Sequence, residues 1–391
     1  MPKRWKRARI IPLIKPGKEN CNDASKCRPI SLLNTGGKVF EKLLINRIMH
    51  FLYNNELLHQ NQFGFTPQKS TTDAAMAVKD FIDEALKKGQ IVALVSLDVK
   101  GAFDAAWRSS VVKALKDLYC PRNLYNLTKN YFTERTAYIA TDSMRIETAV
   151  NKGCPQGFCC GPGYWKIQYN SLLNLNYANW TKATAYADDL LIAVKAATIA
   201  EVENFANMEM TKIIRWSKEN KLQFNDQKSH VMLISRRRKV RKSIDIYLNN
   251  NRLEQVDKIK YLGIIIDSKF KFNEHIKYAT DRCTKLTSAL SKSARISYGL
   301  GHEALKIIYN GVILPQLLYA APVWIESMKK KYNIAKYIRI QRNINLKIAK
   351  AYRTISHEAL YVLTGIPPIN IKAEEVVALY NITTETFRNI N

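Results

Sequence analysis

The chain has 391 residues, 47% of them hydrophobic, and carries 61 Lys and Arg against 33 Asp and Glu, a formal charge of +28. That is enough apolar material for a large core divided among two or three subdomains, and a charge surplus that repels itself unless a polyanion relieves it. Apolar runs such as residues 91–97 are far too short to span a bilayer, which leaves nucleic acid as the leading partner, an anionic membrane surface second, and no membrane insertion.

The N-terminus, Met-Pro-Lys-Arg-Trp-Lys-Arg, has no apolar signal core after it, so the expected compartment is intracellular. Residues 9–14 form a short apolar strand stopped by Pro16-Gly17. Apolar residues at 39, 40, 43, 44, 48, 51 and 52 give a helix with one buried stripe. Thr71-Thr72-Asp73 starts another helix that runs to about residue 86. After Gly89, the run Ile-Val-Ala-Leu-Val-Ser-Leu-Asp98 reads as a buried strand, and residues 183–194 as two strands about a turn at Asp188-Asp189. Val202, Phe205, Ala206, Met210, Ile213 and Ile214 mark an amphipathic helix. Residues 231–234 and 261–266 are further strands. Beyond Asn273 the pattern is helical, with breaks near Pro315 and at Pro367-Pro368. The order predicts an α+β protein of more than one subdomain.

Seven cysteines (21, 27, 120, 154, 159, 160 and 283) form no Cys-x-x-Cys pair and no zinc spacing, as expected of reduced thiols. Six scattered histidines give little support for chemistry built on His or Cys. The carboxylates are different. Asp98 ends an apolar strand, and Asp188-Asp189 lie between two others. If those strands are neighbours, three anions meet at one end of a sheet, and adjacent Asp residues fit one site only at a tight turn. Crowded carboxylates call for cations, and hard oxygen ligands suit Mg²⁺. Two such ions about 4 Å apart activate a 3′-hydroxyl and stabilise leaving pyrophosphate. Taken alone, the Asp-Asp pair reads as a solvated turn; its flanks reverse that reading.

Leu97-Asp98-Val99-Lys100-Gly101-Ala102-Phe103-Asp104 and Tyr186-Ala187-Asp188-Asp189 together resemble the two catalytic motifs of reverse transcriptases, in the family's order. The resemblance implies a right-hand polymerase: fingers at 1–90, a palm at 91–240 (an antiparallel sheet with helices on one face) with a fingers insertion near 111–150, a primer-grip hairpin region at 241–272, and a helical thumb and downstream region at 273–391. It implies catalytic Asp98, Asp188 and Asp189, with the Val99 carbonyl as an added ligand, for two Mg²⁺ ions that Mn²⁺ can replace. The resemblance also implies that Phe103 packs under the sugar of the incoming nucleotide and leaves no room for a 2′-hydroxyl. Gly153-Cys154-Pro155-Gln156-Gly157 resembles the family's Pro-Gln-Gly motif, with Gln156 and Gly157 beside the nucleotide. Cys27-Arg28-Pro29-Ile30 resembles the fingers motif of non-LTR enzymes, and Arg28 pairs with the triphosphate. Lys15, Lys18 and Lys26 are further candidates that the sequence does not rank. Residues 222–229 resemble the segment after the palm helix, which implies that Lys228 protonates or neutralises the pyrophosphate, a surface Lys being the alternative, and Tyr261-Leu262-Gly263 resembles the primer grip.

The basic run Arg236-Arg-Arg-Lys-Val-Arg-Lys242 binds template–primer phosphates or serves as a nuclear import signal. The resemblance points to LINE-type elements of arthropods, of the ribosomal-DNA-inserting or jockey-like branch. The implied function is RNA-directed DNA polymerisation on an RNA template from a DNA primer with dNTPs, in target-primed reverse transcription in the nucleus. Such elements carry an upstream endonuclease and a downstream zinc knuckle, neither visible here. A catalytically silent RNA-binding remnant is the alternative, and an intron-encoded maturase a third reading.

Overall fold

The computed structural model describes residues 1–14, 27–141, 144–154, 157–237, 243–293 and 299–390, with the side chains of 291–293 and 385–390 left aside. Lys15, Lys18, Lys26, the Pro16-Gly17 turn, Gln156 and most of the basic run lie outside the described residues. The chain divides into two compact units, a coarser partition than the four segments expected from the sequence. The first holds Met1–Ser70, Glu84–Leu233 and Arg241–Gln255; the second holds Thr71–Asp83, Ile234–Val240 and Val256–Asn391.

In the first unit, β1 (Arg7–Ile14) and β2 (Cys27–Leu33) pair antiparallel, with Pro12 opposite Pro29. They are followed by helix α1 (Thr35–Asn54), whose Asn34 cap accepts from Gly36 N at 2.9 Å. Helix α2 (Thr71–Lys87) begins at the threonine pair, and its last residues lead into β3 (Ile91–Val99). Next come the short α3 (Ala102–Ala105), α4 (Arg108–Asp117), α5 (Arg122–Phe132), and strands β4 (Thr136–Ala140) and β5 (Arg145–Ala149). These strands join the N-terminal pair in a sheet of order β2-β1-β4-β5. The β1–β4 pairing is parallel and ends at Arg9, before Pro12, which has no N–H to offer a ladder.

A second sheet forms the centre of this unit. Helix α6 (Gly161–Leu173), β6 (Thr181–Tyr186), β7 (Asp189–Ala196), α7 (Ile199–Glu219) and β8 (Phe224–Ile234) follow in order. They are succeeded by the two-residue strands β9 (Tyr247–Leu248), β10 (Asn251–Arg252) and β11 (Glu254–Gln255). The sheet order is β11-β8-β3-β7-β6. Strand β3 is central and buried along nearly its whole length, which is why it reads as a continuous apolar run. Helix α7 packs on β3 and β7, and α6 on β6. A capping box of Thr198 and Glu201 starts α7.

The second unit begins with the N-terminal part of α2. Its β12 (Lys258–Tyr261) and β13 (Ile264–Asp267) form a hairpin, and α8 (Asn273–Ser293) follows. The apolar run 261–266 is therefore not one strand: it is cut by a two-residue turn at Leu262-Gly263, with φ of 46° and 84°. The helical expectation beyond 273 holds. Helix α9 (His302–Ile308) passes through a π-helical turn, Tyr309–Ile313, into α10 (Leu314–Leu317), with Pro315 in its first turn. Then come α11 (Ala321–Trp324), α12 (Lys331–Ile348), α13 (His357–Thr364) and α14 (Ile369–Ile390). Helix α12 packs against α8, α9, α13 and α14. The Pro367-Pro368 break is closed by buried Gln341, which donates to Pro367 O at 2.8 Å and accepts from Ile369 N at 2.9 Å. No single helix among the described residues is long and apolar enough to cross a membrane. The six described cysteines are free thiols.

Candidate active site

The register of the central sheet decides where the carboxylates go. Leu97 on β3 pairs with Leu190 on β7, so the next step sets Asp98 beside Asp189. Tyr186 pairs with Asp189 across the β6–β7 hairpin, which leaves Ala187 and Asp188 as its loop. The turn is thus one residue earlier than the sequence suggested, and Asp189 is the first residue of β7. Ala187 takes the left-handed conformation, φ 57°. Two of the three carboxylates have raised pKa values. Asp188 is held above the usual carboxylate range, first by burial, and Asp98 adds to the rise. Asp189 reaches the surface, yet its carboxyl is pushed up to about 6, first by the apolar bulk around it and then by Asp188 and Asp98. Within the described residues, none of the three is ion-paired to Lys or Arg.

Among the described residues no three His, Cys, Asp or Glu side chains are drawn together tightly enough to form a ready metal cage. The fit to a cation rests instead on the chemistry of the donors: three hard oxygen groups, two of them destabilised as anions by burial and by one another. Val99, offered as a carbonyl ligand, is buried directly after Asp98. The Asp98 N–H donates to Ser229 Oγ at 3.1 Å, and Lys100 N–H to Gln223 O at 2.8 Å, so β8 and its approach pin the end of β3. Lys228 is exposed on β8, next to Ser229.

Beneath the Asp188 turn runs a ladder of rings. Phe103 lies 5.4 Å from Trp165, Trp165 stacks on Tyr169 at 5.0 Å, and Tyr169 meets Trp216 edge-on at 5.9 Å. Trp165 Nε1 donates to Ala187 O at 3.0 Å, which ties the ladder to the turn. The segment 61–66 grips the turn from another side. Phe63 N–H donates to Ala185 O at 2.8 Å and Ala185 N–H to Asn61 O at 3.0 Å. At Gly64 a β-carbon would stand 2.0 Å from Ala187 N, so no side chain fits there. The Phe65 ring meets Phe103 edge-on at 6.2 Å. Sequence reasoning missed this segment; its signal was the aromatic–Gly–aromatic string Phe63-Gly64-Phe65 before Pro67.

The motif that contains Gln156 is described only at its two ends. On the entering side, Cys154 N–H donates to Phe103 O at 2.8 Å and Gly153 N–H to Ala106 O at 2.8 Å. Gly153 has φ 85°, and a β-carbon there would meet Asp104 O at 2.7 Å. On the leaving side, Gly157 (φ 101°) has room for no β-carbon against Ser31 O on β2, the strand that carries exposed Arg28. These contacts bring α3, β2 and the motif together. Buried ions secure the flanks. Arg108 donates to the carbonyls of Gly153, Lys152, Phe132 and Val150. Glu41 accepts from Cys159 N at 3.0 Å and from the Tyr131 hydroxyl. Burial holds Glu41 above the usual carboxylate range and Arg108 below the usual guanidinium range.

Tyr261, Leu262 and Gly263 lie in the second unit, on the β12–β13 hairpin. There the Tyr319 hydroxyl donates to Leu262 O at 2.9 Å, and its ring lies against Gly263. The start of the basic run is also in this unit, where Arg236 approaches Asp83 at 3.5 Å.

Residues 15–266 match the family model of reverse transcriptase (RNA-dependent DNA polymerase). The chain is 31% identical over 385 residues to the 115 kDa protein in the type-1 retrotransposable element R1DM of Drosophila melanogaster, covering 97% of this chain and 36% of that one. It is 28% identical to the RNA-directed DNA polymerase from mobile element jockey of Drosophila funebris, covering 99% of this chain and 42% of that one. It therefore spans well under half the length of these curated relatives. A solved structure of telomerase from Candida tropicalis, in complex with a TWJ fragment of telomeric RNA, aligns with a TM-score of 0.50 and 11% identity over 93% of this chain and 65% of that one, a likeness of fold. The chain belongs to the reverse transcriptase (RNA-dependent DNA polymerase) family, with relatives among the R1 and jockey elements of arthropods.

Proposed function

We propose that the chain is the polymerase core of a non-LTR retrotransposon, an RNA-directed DNA polymerase that extends a DNA primer along element RNA. The observation that carries this reading is the trio of Asp98, Asp188 and Asp189, without an ion-pair partner among the described residues, at one end of the central sheet of a chain whose net charge is +28. In this reading Asp98, Asp188, Asp189 and the Val99 carbonyl hold two Mg²⁺ ions, with Mn²⁺ as a substitute. When bound, such ions favour attack by the primer 3′-oxygen on the α-phosphorus and neutralise the pyrophosphate that leaves.

The remaining residues position the reactants. Phe103, fixed on α3 by its backbone bond from Cys154 N–H, fills the space under the sugar. Arg28 and Lys228 offer positive charge to the triphosphate, Gln156 and Gly157 adjoin the nucleotide, and Tyr261, Leu262 and Gly263 hold the primer end. The central sheet and its helices serve as the palm, the β2-β1-β4-β5 sheet as part of the fingers, and the helices after 273 as the thumb. The setting is target-primed synthesis in the nucleus, at a nick made by an endonuclease expected upstream.

The test is extension of a DNA primer on an RNA template with Mg²⁺, beside Asp188→Ala. We expect synthesis by the parent chain and a loss of more than about 100-fold in the variant, the scale of one preorganised electrostatic group. A parent chain that binds RNA without synthesis sinks the polymerase reading in favour of a silent RNA-binding remnant. Equal synthesis by the variant sinks the carboxylate assignment.

A further inference from the structure

We infer that Phe65 is a positioning residue for sugar selection: its ring holds Phe103 in place and so sets the room beneath the incoming sugar. This inference rests on the reading of Phe103 as the steric gate. Among the described residues, Phe103 has two aromatic neighbours. Trp165 is a fixed wall, wholly buried, hydrogen-bonded to Ala187 O and stacked on Tyr169. Phe65 is the other neighbour, and it differs in every respect.

Its side chain is 51% exposed, so it gains little from burial. Its backbone is left-handed, φ 57°, a conformation that disfavours a bulky residue and that Gly or Asn adopts more easily. The strained backbone offsets what half-burial of the ring contributes, so stability is a weak reason for a phenyl ring here. Nor does the loop need the ring to stay in place. The loop is anchored by the Phe63–Ala185 and Ala185–Asn61 backbone bonds, by Thr66 Oγ donating to Gln62 O at 2.8 Å, and by buried Lys166 Nζ donating to Phe65 O at 3.4 Å. What the ring does contact is Phe103, at 6.2 Å and 73°, the edge-to-face geometry that aromatic pairs favour. Strained backbone that holds an exposed ring against a selecting residue is a functional signature. Without that ring, Phe103 is free to turn away from Trp165, and the space beneath the sugar widens enough for a 2′-hydroxyl.

The test compares kcat/KM for dNTP and rNTP, and thermal unfolding, in the full chain and in Phe65→Gly, Phe65→Tyr, Phe103→Val and the Phe65→Gly/Phe103→Val double variant. We expect Phe65→Gly to lower the dNTP-over-rNTP preference about tenfold, the scale of a methylene-sized misfit in a pocket, with an unchanged or higher Tm. Phe65→Tyr should keep the parental preference. Phe65→Gly should add nothing once Phe103→Val is present, the non-additivity expected of coupled neighbours. An unchanged preference in Phe65→Gly, with Phe103→Val altered, overturns the role of Phe65 and leaves the gate standing. So does a fall in Tm with both substrates losing equally, which marks a structural residue only. An unchanged preference in Phe103→Val removes the gate and this inference with it, and a parent chain without synthesis overturns the polymerase reading beneath both.

Discussion

Two tight hairpins carry residues of the proposed site, one in each unit, and they are built alike. Each has a two-residue loop, Ala187-Asp188 in one and Leu262-Gly263 in the other, and each forces a residue with a β-carbon into left-handed backbone. In each, an aromatic side chain steadies the strained residue by donating to its carbonyl: Trp165 to Ala187 O, Tyr319 to Leu262 O. The difference is in depth and charge. Trp165 is wholly buried and Tyr319 is 38% exposed, and only the first hairpin carries carboxylates. Among the described residues, the turn with the carboxylates is gripped by Trp165 and by the segment 61–66, and the other turn is steadied by the Tyr319 ring.

That contrast is open to attack by substitution. The largest effect is expected at Gly64. Alanine there would place its β-carbon 2.0 Å from Ala187 N, and we expect a loss of about 3 kcal/mol in urea unfolding, the upper range for overpacking, together with lost synthesis. A fully stable, active Gly64→Ala would show that the segment 61–66 does not grip the turn. Next is the aromatic pair. Trp165→Phe leaves Ala187 O without its donor and opens a gap in the ring ladder, at about 2 kcal/mol. Tyr319→Phe removes one partly exposed bond to Leu262 O, at about 0.5–1 kcal/mol. Equal losses would erase the distinction between the hairpins.

A pH dependence adds a separate test. Buried Lys166, which donates to Tyr53 OH and Phe65 O, has its pKa lowered from the ordinary 10.5 to about 7, chiefly by burial and then by Lys69. Between those values the unfolded chain binds a proton that the folded chain does not, so stability rises with pH from about 7 upward and is lost as pH falls through it. In Lys166→Met this increment should vanish, read as urea midpoints at pH 7 and pH 9. An identical rise in the variant would assign it to other groups.

Much of this was legible in the sequence where local rules decide. Residues 91–98 form a strand because a continuous apolar run after Gly89 fits the buried centre of a sheet. Asp98, Phe103, Asp188 and Asp189 stood out through spacing and motif. The β12–β13 turn was misread as strand because Leu262 occupies a loop position where Asn, Asp or Gly is the usual signal; Tyr319, distant in sequence, steadies it. Glu41, Arg108 and Lys166 were invisible for a related reason. Charged residues on helices normally face water, and only the three-dimensional contacts reveal that these are buried against carbonyls, amides and hydroxyls. The grip of 61–66 on Ala187 was likewise hidden, since a loop without periodicity announces no partner.

The parallel pairing of β1 with β4 has a consequence for synthesis on the ribosome. The pairing joins Arg7–Arg9 to Thr136–Tyr138, and an ion pair links Arg7 to Glu147, 140 positions further on. At translation rates of 5–20 residues per second, the edge of β1 waits on the order of ten seconds for its partner. During that interval the β1–β2 pair has an open edge able to recruit strands from other chains. Arg7, Arg9 and Pro12 on that strand are the kind of residues that discourage such pairing.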